Sequence, residues 1–385
     1  MEVYLDNCST TKARKEVIEE MIRSLEKEYG NPSSLHRMGF NVEKKIGNAR
    51  RNIANFLNVD KEEIYFTSGG TESNNLAIQS IIRKYNRFGK HIITTAIEHP
   101  SVLNILKHYE KDGYEITYLK IDKSGLISLE ELENSIREDT ILIAIMQVNN
   151  EIGSMQPIAE IKDILNKKNS KALIHVDGVQ AFGKIPVEIK KWSIDTFSFS
   201  GHKIHGPKGI GGLYINEDLT LEPIVFGGNQ ENGYRSGTEN VPGIMGLGKA
   251  VEIANRDFSK NYKKADEIKA YLTHRIVEEI PHVHINSPRD ENHSPYILNI
   301  SFEYTRGEVL LHYLEDKNIY VSTASACSSK GVEKSHVLGE LGLNDLQMEG
   351  AIRFCFSYEN TIEEIDYTME ILKNSIEEIR EITMR

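Results

Sequence analysis

Ile141-Leu142-Ile143-Ala144-Ile145-Met146 is an apolar run with no polar residue to turn toward water. A strand solvated on one face alternates apolar with polar residues, so this run reads as one buried on both faces, inside a helix-covered sheet. Working outward, short apolar runs at 64–67, 91–95, 116–119, 141–148, 172–176, 196–200 and 212–215 are predicted strands. Helical patterns at 71–84, 101–110, 129–136 and 158–165 separate the earlier ones. This βαβ rhythm predicts an α/β fold, a mainly parallel sheet with helices on both faces. Beyond about Ala250 long helices with few strands predict a smaller α+β domain. The last helix is the plainest element. Thr361 and Glu364 form a capping-box signature, and Ile365, Met369, Leu372, Ile376 and Ile379 then make one apolar stripe.

A chain of 385 residues, 39% hydrophobic and 27% charged, is long enough for a sizeable core in more than one domain. A net charge of -11 argues against direct binding of nucleic acid or an anionic membrane, which needs a basic surface. No stretch approaches the roughly 20 apolar residues of a membrane span, and Met1 runs into a strand-like Val3-Tyr4-Leu5 rather than a signal peptide. A cytoplasmic location is expected. Cys8, Cys327 and Cys355 lie far apart and in no C-x-x-C pair, which disfavours a disulfide framework or a structural zinc site.

Three features together describe a phosphate-bearing pyridine ring held at strand ends. Thr67-Ser-Gly-Gly-Thr-Glu-Ser73 leaves a strand and opens a helix, whose free N–H groups and positive dipole suit a phosphate, with Gly70 and Thr71 nearest. By itself such a stretch is more often just a turn. His175-Val-Asp177-Gly-Val-Gln180 ends a strand in an acid; the carboxylate is either a helix cap or a partner that keeps a pyridine nitrogen protonated. In Ser198-Phe-Ser-Gly-His-Lys-Ile-His-Gly-Pro-Lys-Gly209, Lys203 follows a β-run among small polar residues and reads as a Schiff-base amine, with Ser200 and His202 placed to donate to phosphate. His202 and His205 lack carboxylate or Cys partners, so no metal is expected.

Asp177, Gln180 and Lys203 resemble the class V aminotransferase group of fold-type I pyridoxal-phosphate (PLP) enzymes. Across nearly the whole chain the match extends to cysteine desulfurases of the NifS/IscS type. It is carried by Tyr4-Leu-Asp-Asn-Cys-Ser-Thr-Thr11, Gly30-Asn-Pro-Ser-Ser34, Glu98-His99, Val148-Asn-Asn-Glu-Ile-Gly153, Arg235-Ser-Gly-Thr238 and the Cys327 segment. The resemblance implies a large PLP-binding domain with a seven-stranded sheet over 13–255, and a small domain of 1–12 and 256–385 carrying the catalytic Cys loop. It implies that Lys203 holds the cofactor, Asp177 pairs with the pyridine nitrogen, and His99 stacks on the ring and helps move protons. Asn150 and Gln180 then bond the phenolic oxygen, and Gly70, Thr71, Ser200 and His202 hold the phosphate. Thr238 reaches the other subunit's phosphate in a homodimer, and Arg353 grips the carboxylate of L-cysteine.

Cys327 lies in Ser322-Thr-Ala-Ser-Ala-Cys-Ser-Ser-Lys330, too small and polar a setting for a core cysteine and a natural one for a reactive thiol. In the family such a thiol takes sulfur from cysteine as a persulfide, releases alanine and passes the sulfur to an acceptor protein, in iron–sulfur assembly or tRNA thiolation. Cys355, between two aromatic residues, reads as packing. Cys8 and Gly178 depart from the family, where Ala or Ser and Ala respectively are usual; Cys8 reads as a tolerated small residue rather than a second sulfur carrier. Lys12, Arg14 and Lys15 read as a solvated helix start. The competing readings are a selenocysteine lyase or other PLP-dependent β-eliminating enzyme, an ordinary aminotransferase, and a non-catalytic scaffold for sulfur-transfer partners. The first needs no protein thiol, the second leaves the Cys327 segment unexplained, and the third leaves the Lys203, Asp177 and Cys327 set unused.

Overall fold

The computed structural model describes residues 1–323 and 335–383. Its main sheet has seven strands in the order Ile64–Thr67, Gly211–Ile215, Thr196–Ser200, Leu173–Asp177, Thr140–Met146, His91–Thr95 and Glu115–Leu119. Of these, Gly211–Ile215 alone runs against the rest, antiparallel to both neighbours. The other pairings are parallel. Thr140–Met146 is buried at every position, as its apolar run requires. Two strands end elsewhere than the sequence reading places them. Asp177 is inside the ladder, opposite Met146 and Ser198, while Gln147 and Val148 already belong to the following loop. Hydrophobicity locates a strand, but backbone pairing decides where it ends.

The helices Gly70–Tyr85, Pro100–Lys111, Leu129–Ser135 and Ile158–Lys167 form connections in this sheet. Because six strands point the same way, their carboxyl ends share one edge, where ligands of open α/β sheets are received. The segments at 68–70, 147–150, 178–180 and 201–203 all leave the sheet there, and His99 follows the end of His91–Thr95.

One hydrophobic cluster joins the sheet to the first half of the helix Val241–Glu279, through residues such as Ile143, Val176, Phe197, Ile244 and Val251. A second gathers Val3, Leu5, Leu298, Ile352 and Phe354 around the last part of the same helix, at Ile268, Leu272 and Ile276. It also holds the stripe of the final helix, Ile362–Thr383. That helix starts with the expected capping box. The Glu364 carboxylate accepts from Thr361 N–H, and Thr361 Oγ1 accepts from Glu364 N–H, both at 3.2 Å. The second cluster is backed by a four-stranded antiparallel sheet ordered Ser322–Thr323, Ala351–Cys355, Ile297–Phe302 and Val283–Ile285. The strand Val3–Tyr4 pairs parallel with Ile319–Tyr320, and Leu5 O accepts from Cys355 N–H. Residues 6–11 then cross from this second cluster to the carboxyl edge of the main sheet, where Thr11 N–H reaches His202 O. Among the described residues no helix is long and apolar enough to cross a membrane.

Candidate active site

A cavity of about 360 Å³ opens at that carboxyl edge, lined by Lys203, Asp177, Gln180, Asn150, His99, Gly70, Thr71, Ser200, His202 and Arg353. These residues come from six separate stretches of sequence. Thr238 is exposed and does not line the cavity. Cys327 lies outside the described residues.

At one end the helix Gly70–Tyr85 begins against the wall, and its first turn has N–H groups with no intrahelical acceptor. Gly69 holds φ +152°, open to glycine but costly for other residues, and a Cβ on Gly70 would lie 2.4 Å from Val179 Cγ2. Both positions therefore need glycine for the backbone to come this close. His202 Nδ1 is 3.2 Å from Thr10 Oγ1, and burial drops its pKa to about 4. It is a neutral hydrogen-bonding group at ordinary pH.

Asp177 sits at the cavity wall with both oxygens engaged. Oδ1 accepts from Val179 N–H at 3.0 Å and Oδ2 from Asn74 Nδ2 at 2.8 Å. Asp177 caps the turn that follows and also faces the cavity. Asn74 Oδ1 is 3.1 Å from His175 Nε2, whose ring is fully buried with its pKa lowered to about 4 by burial. His99 caps the helix Pro100–Lys111, and its Nδ1 lies 2.8 Å from Ser101 Oγ. Burial lowers its pKa as well.

Lys203 donates from Nζ to the carbonyls of Cys8 and, at 2.9 Å, Ser9. Burial first, and then the nearby Lys184 cation, bring its pKa down to about 8. Lys184 Nζ donates to Gln180 Oε1 at 3.0 Å, and Gln180 Nε2 donates to Cys8 O at 3.0 Å. A lysine ammonium only donates, so this contact settles which end of the Gln180 amide is oxygen and leaves its NH2 as the donor beside the cavity. Arg353 is 3% exposed and donates to Asn150 O at 2.9 Å, Asp6 Oδ1 at 3.0 Å and Ser9 Oγ at 2.8 Å. Its Nε is buried without a partner among the described residues.

Sequence reasoning missed Asn74, Ser101 and Lys184. Their signal was spacing alone: Asn74 is one helical turn past Gly70, and Lys184 is four residues past Gln180. Glu98, quoted without a role, is buried, and burial pushes its pKa up to about 8. Arg14 is not a solvated charge: it pairs with Asp257 at 3.1 Å and lies over the Tyr358 ring at 3.8 Å. Cys8 is 2% exposed and packs in one cluster with the buried Cys355.

The class-V aminotransferase family matches residues 3–368. The chain belongs to that family. It is 43% identical over 382 residues to a cysteine desulfurase IscS of Dictyoglomus turgidum, covering 99% of this chain and 96% of the relative. An IscS of Methanosarcina thermophila is also 43% identical, over 99% of this chain and 93% of its own. Among solved structures, a NifS-like protein superposes with a TM-score of 0.92 at 39% identity, covering 98% of this chain and all of that one. A protein titled SspA in complex with cysteine superposes at 0.81 with 34% identity, over 93% and 100% of the two chains. The α/β fold with its mainly parallel sheet is thus the one expected from the sequence.

Proposed function

We propose that this chain is a PLP-dependent cysteine desulfurase that converts L-cysteine to L-alanine, with Cys327 receiving the sulfur as a persulfide. One observation carries the reading: a half-buried lysine, a carboxylate and a buried arginine face a single cavity beside the glycine-lined start of a helix. These residues fit pyridoxal phosphate. The close approach at Gly69 and Gly70 leaves room and free N–H groups for a phosphate, with Thr71, Ser200 and His202 to complete its donors. The Arg353 guanidinium, a permanent cation on the cavity wall, suits a substrate carboxylate. Full-length relatives named cysteine desulfurase support the same reading.

Bound there, the cofactor supplies an electron sink that weakens bonds at the substrate's α-carbon. Lys203 would hold it, Asp177 would keep its pyridine nitrogen protonated, His99 would stack on its ring, and Gln180 and Asn150 would bond its phenolic oxygen. Arg353 orients the substrate carboxylate. The Cys327 thiolate attacks the substrate sulfur, so an S–S bond forms as the C–S bond breaks and alanine leaves. Simple β-elimination would require no such thiol. Sulfur then passes to an acceptor protein of iron–sulfur assembly or tRNA thiolation.

A homodimer is part of this proposal. Leu35, Phe40 and Phe226 are exposed apolar side chains, and Thr238 is exposed away from its own cavity, which suits service to a partner's phosphate. The proposed division, 13–255 against 1–12 with 256–385, draws support from the two hydrophobic clusters. A reducing cytoplasm fits Cys8 and Cys355, which are packed together as free thiols.

The test is alanine release from L-cysteine in the presence of reductant. Alanine from the wild type and almost none from Cys327→Ala is the expected result. Equal release from both sinks the role of Cys327, and no release from a loaded wild type sinks the substrate.

A further inference from the structure

The hydrogen bonds around Asn74 determine where the proton of His99 sits. Ser101 N–H points at His99 Nδ1 from 3.1 Å. A backbone N–H can only donate, so Nδ1 must present its lone pair. A neutral imidazole carries one hydrogen, which therefore lies on Nε2.

The side chains agree with that answer. Asp177 is an acceptor and takes one hydrogen of Asn74 Nδ2 at 2.8 Å. The other goes to Ser101 Oγ, also at 2.8 Å. Having accepted there, the Ser101 hydroxyl is free to donate to His99 Nδ1, 2.8 Å away. On the far side Asn74 Oδ1 takes the Nε2–H of His175, whose Nδ1 lies 2.9 Å from Thr196 Oγ1. Flipping the Asn74 amide would turn its oxygen on the Asp177 carboxylate, so the amide has one consistent orientation. Its two hydrogens diverge, one to Asp177 and one to Ser101, which leads on to His99.

We propose that Asn74 and Ser101 are positioning residues that fix His99 as a neutral imidazole with its proton on Nε2, so that His99 serves as a hydrogen-bond donor and not as a base. What Nε2 meets rests on the functional reading above. Among the described residues Nε2 has no partner, and the ring lines the cavity. A nitrogen that already carries a hydrogen cannot take another from the substrate. Protonating Nδ1 instead would set two N–H groups against each other. A proton cannot leave through these hydrogen bonds either, because an amide, Asn74, stands among them. Burial of the ring acts in the same direction by disfavouring its charged form. The expectation that His99 helps move protons is thereby narrowed to donation of a hydrogen bond, the part a neutral histidine plays when it polarises a substrate atom.

The experiment is long-range 1H–15N spectroscopy of the full chain labelled with 15N-histidine, cofactor-free and loaded, with the His99 signals identified by their loss in His99→Gln. The neutral Nε2–H form is expected near pH 7.5 in both. In Ser101→Ala and in Asn74→Leu the residue-101 N–H still faces Nδ1, so the Nε2–H form should stay dominant while the share of the Nδ1–H form rises roughly fivefold from its small wild-type value. Ser101→Thr, which keeps the hydroxyl, should hold the wild-type form. Because Asn74 is buried, Ser101→Ala carries the test if Asn74→Leu does not fold. A wild-type ring protonated on Nδ1 or charged overturns the proposal, as does an unmoved tautomer in the folded variants. Alanine release plays no part in these spectra, so failure here is distinguishable from failure of the desulfurase reading.

Discussion

At the scale of the residue, the site shows how burial and a like charge prepare an amine. Lys203 is held near pKa 8, below the ordinary lysine value, by burial and then by Lys184; Arg353 acts in the same sense, and the thiols of Cys8 and Cys355 in the opposite one. A protonated amine cannot attack a carbonyl carbon. Capture of pyridoxal phosphate by the cofactor-free chain should therefore quicken as pH rises through about 8 and level off above it. Lys184→Met removes a neighbouring cation, so the amine holds its proton more tightly and the midpoint should move up, by roughly one unit. The rise of the cofactor's visible absorption against pH measures it, and an unmoved or lowered midpoint contradicts the account. Lys203 and Asp177 stood out in the sequence by the chemical types in their motifs and Arg353 through the family resemblance, and the structure brings all three to one cavity. Lys184, Asn74 and Ser101 were not legible in the sequence. They act through contacts that span from 2 to 103 positions, and a pattern read along the chain does not show which of those positions meet.

Elements were legible where local pattern and packing agree. The run at 141–146 was read as a buried strand, and the final helix begins on its predicted capping box. Gly178 shows where legibility ends. The family usually has Ala there, and composition offers no reason for the change. In the structure a Cβ at Gly178 would lie 1.9 Å from Cζ of Phe197, on the strand paired with Leu173–Asp177. The glycine is one half of a pair whose other half is a ring. Gly178→Ala should destabilise the fold by about 1–3 kcal/mol through overpacking, read by chemical denaturation. Adding Phe197→Leu should recover part of that loss, because neighbouring substitutions are not additive. A single variant as stable as the wild type would show that the ring yields freely.

For the whole molecule, two cores share one continuous helix of 39 residues, Val241–Glu279. The change of pattern near residue 250 was visible in the sequence, whereas the continuity of the helix through it was not. The same scale governs association. Leu35, Phe40 and Phe226 are at least 62% exposed, a cost that a partner surface would relieve. The wild type should run at twice the chain mass in light scattering. The double variant Leu35→Glu, Phe226→Glu should shift toward the single-chain mass and lose cofactor on dilution, since Thr238 then serves no partner. A wild type that runs as one chain rejects the dimer.

Residues 3–9 are translated long before the segments that hold them. Val3 and Tyr4 pair with Ile319 and Tyr320, and Asn7 reaches Cys355 across 348 positions. The carbonyls that receive the Lys203 amine belong to this early segment. A nascent chain still on the ribosome therefore has its lysine, its acid and the residues 8–11 that meet them, but not the late partners that anchor residues 3–7. Chains released early should be unable to retain pyridoxal phosphate, so a truncated product stays inert rather than becoming a leaky source of sulfide.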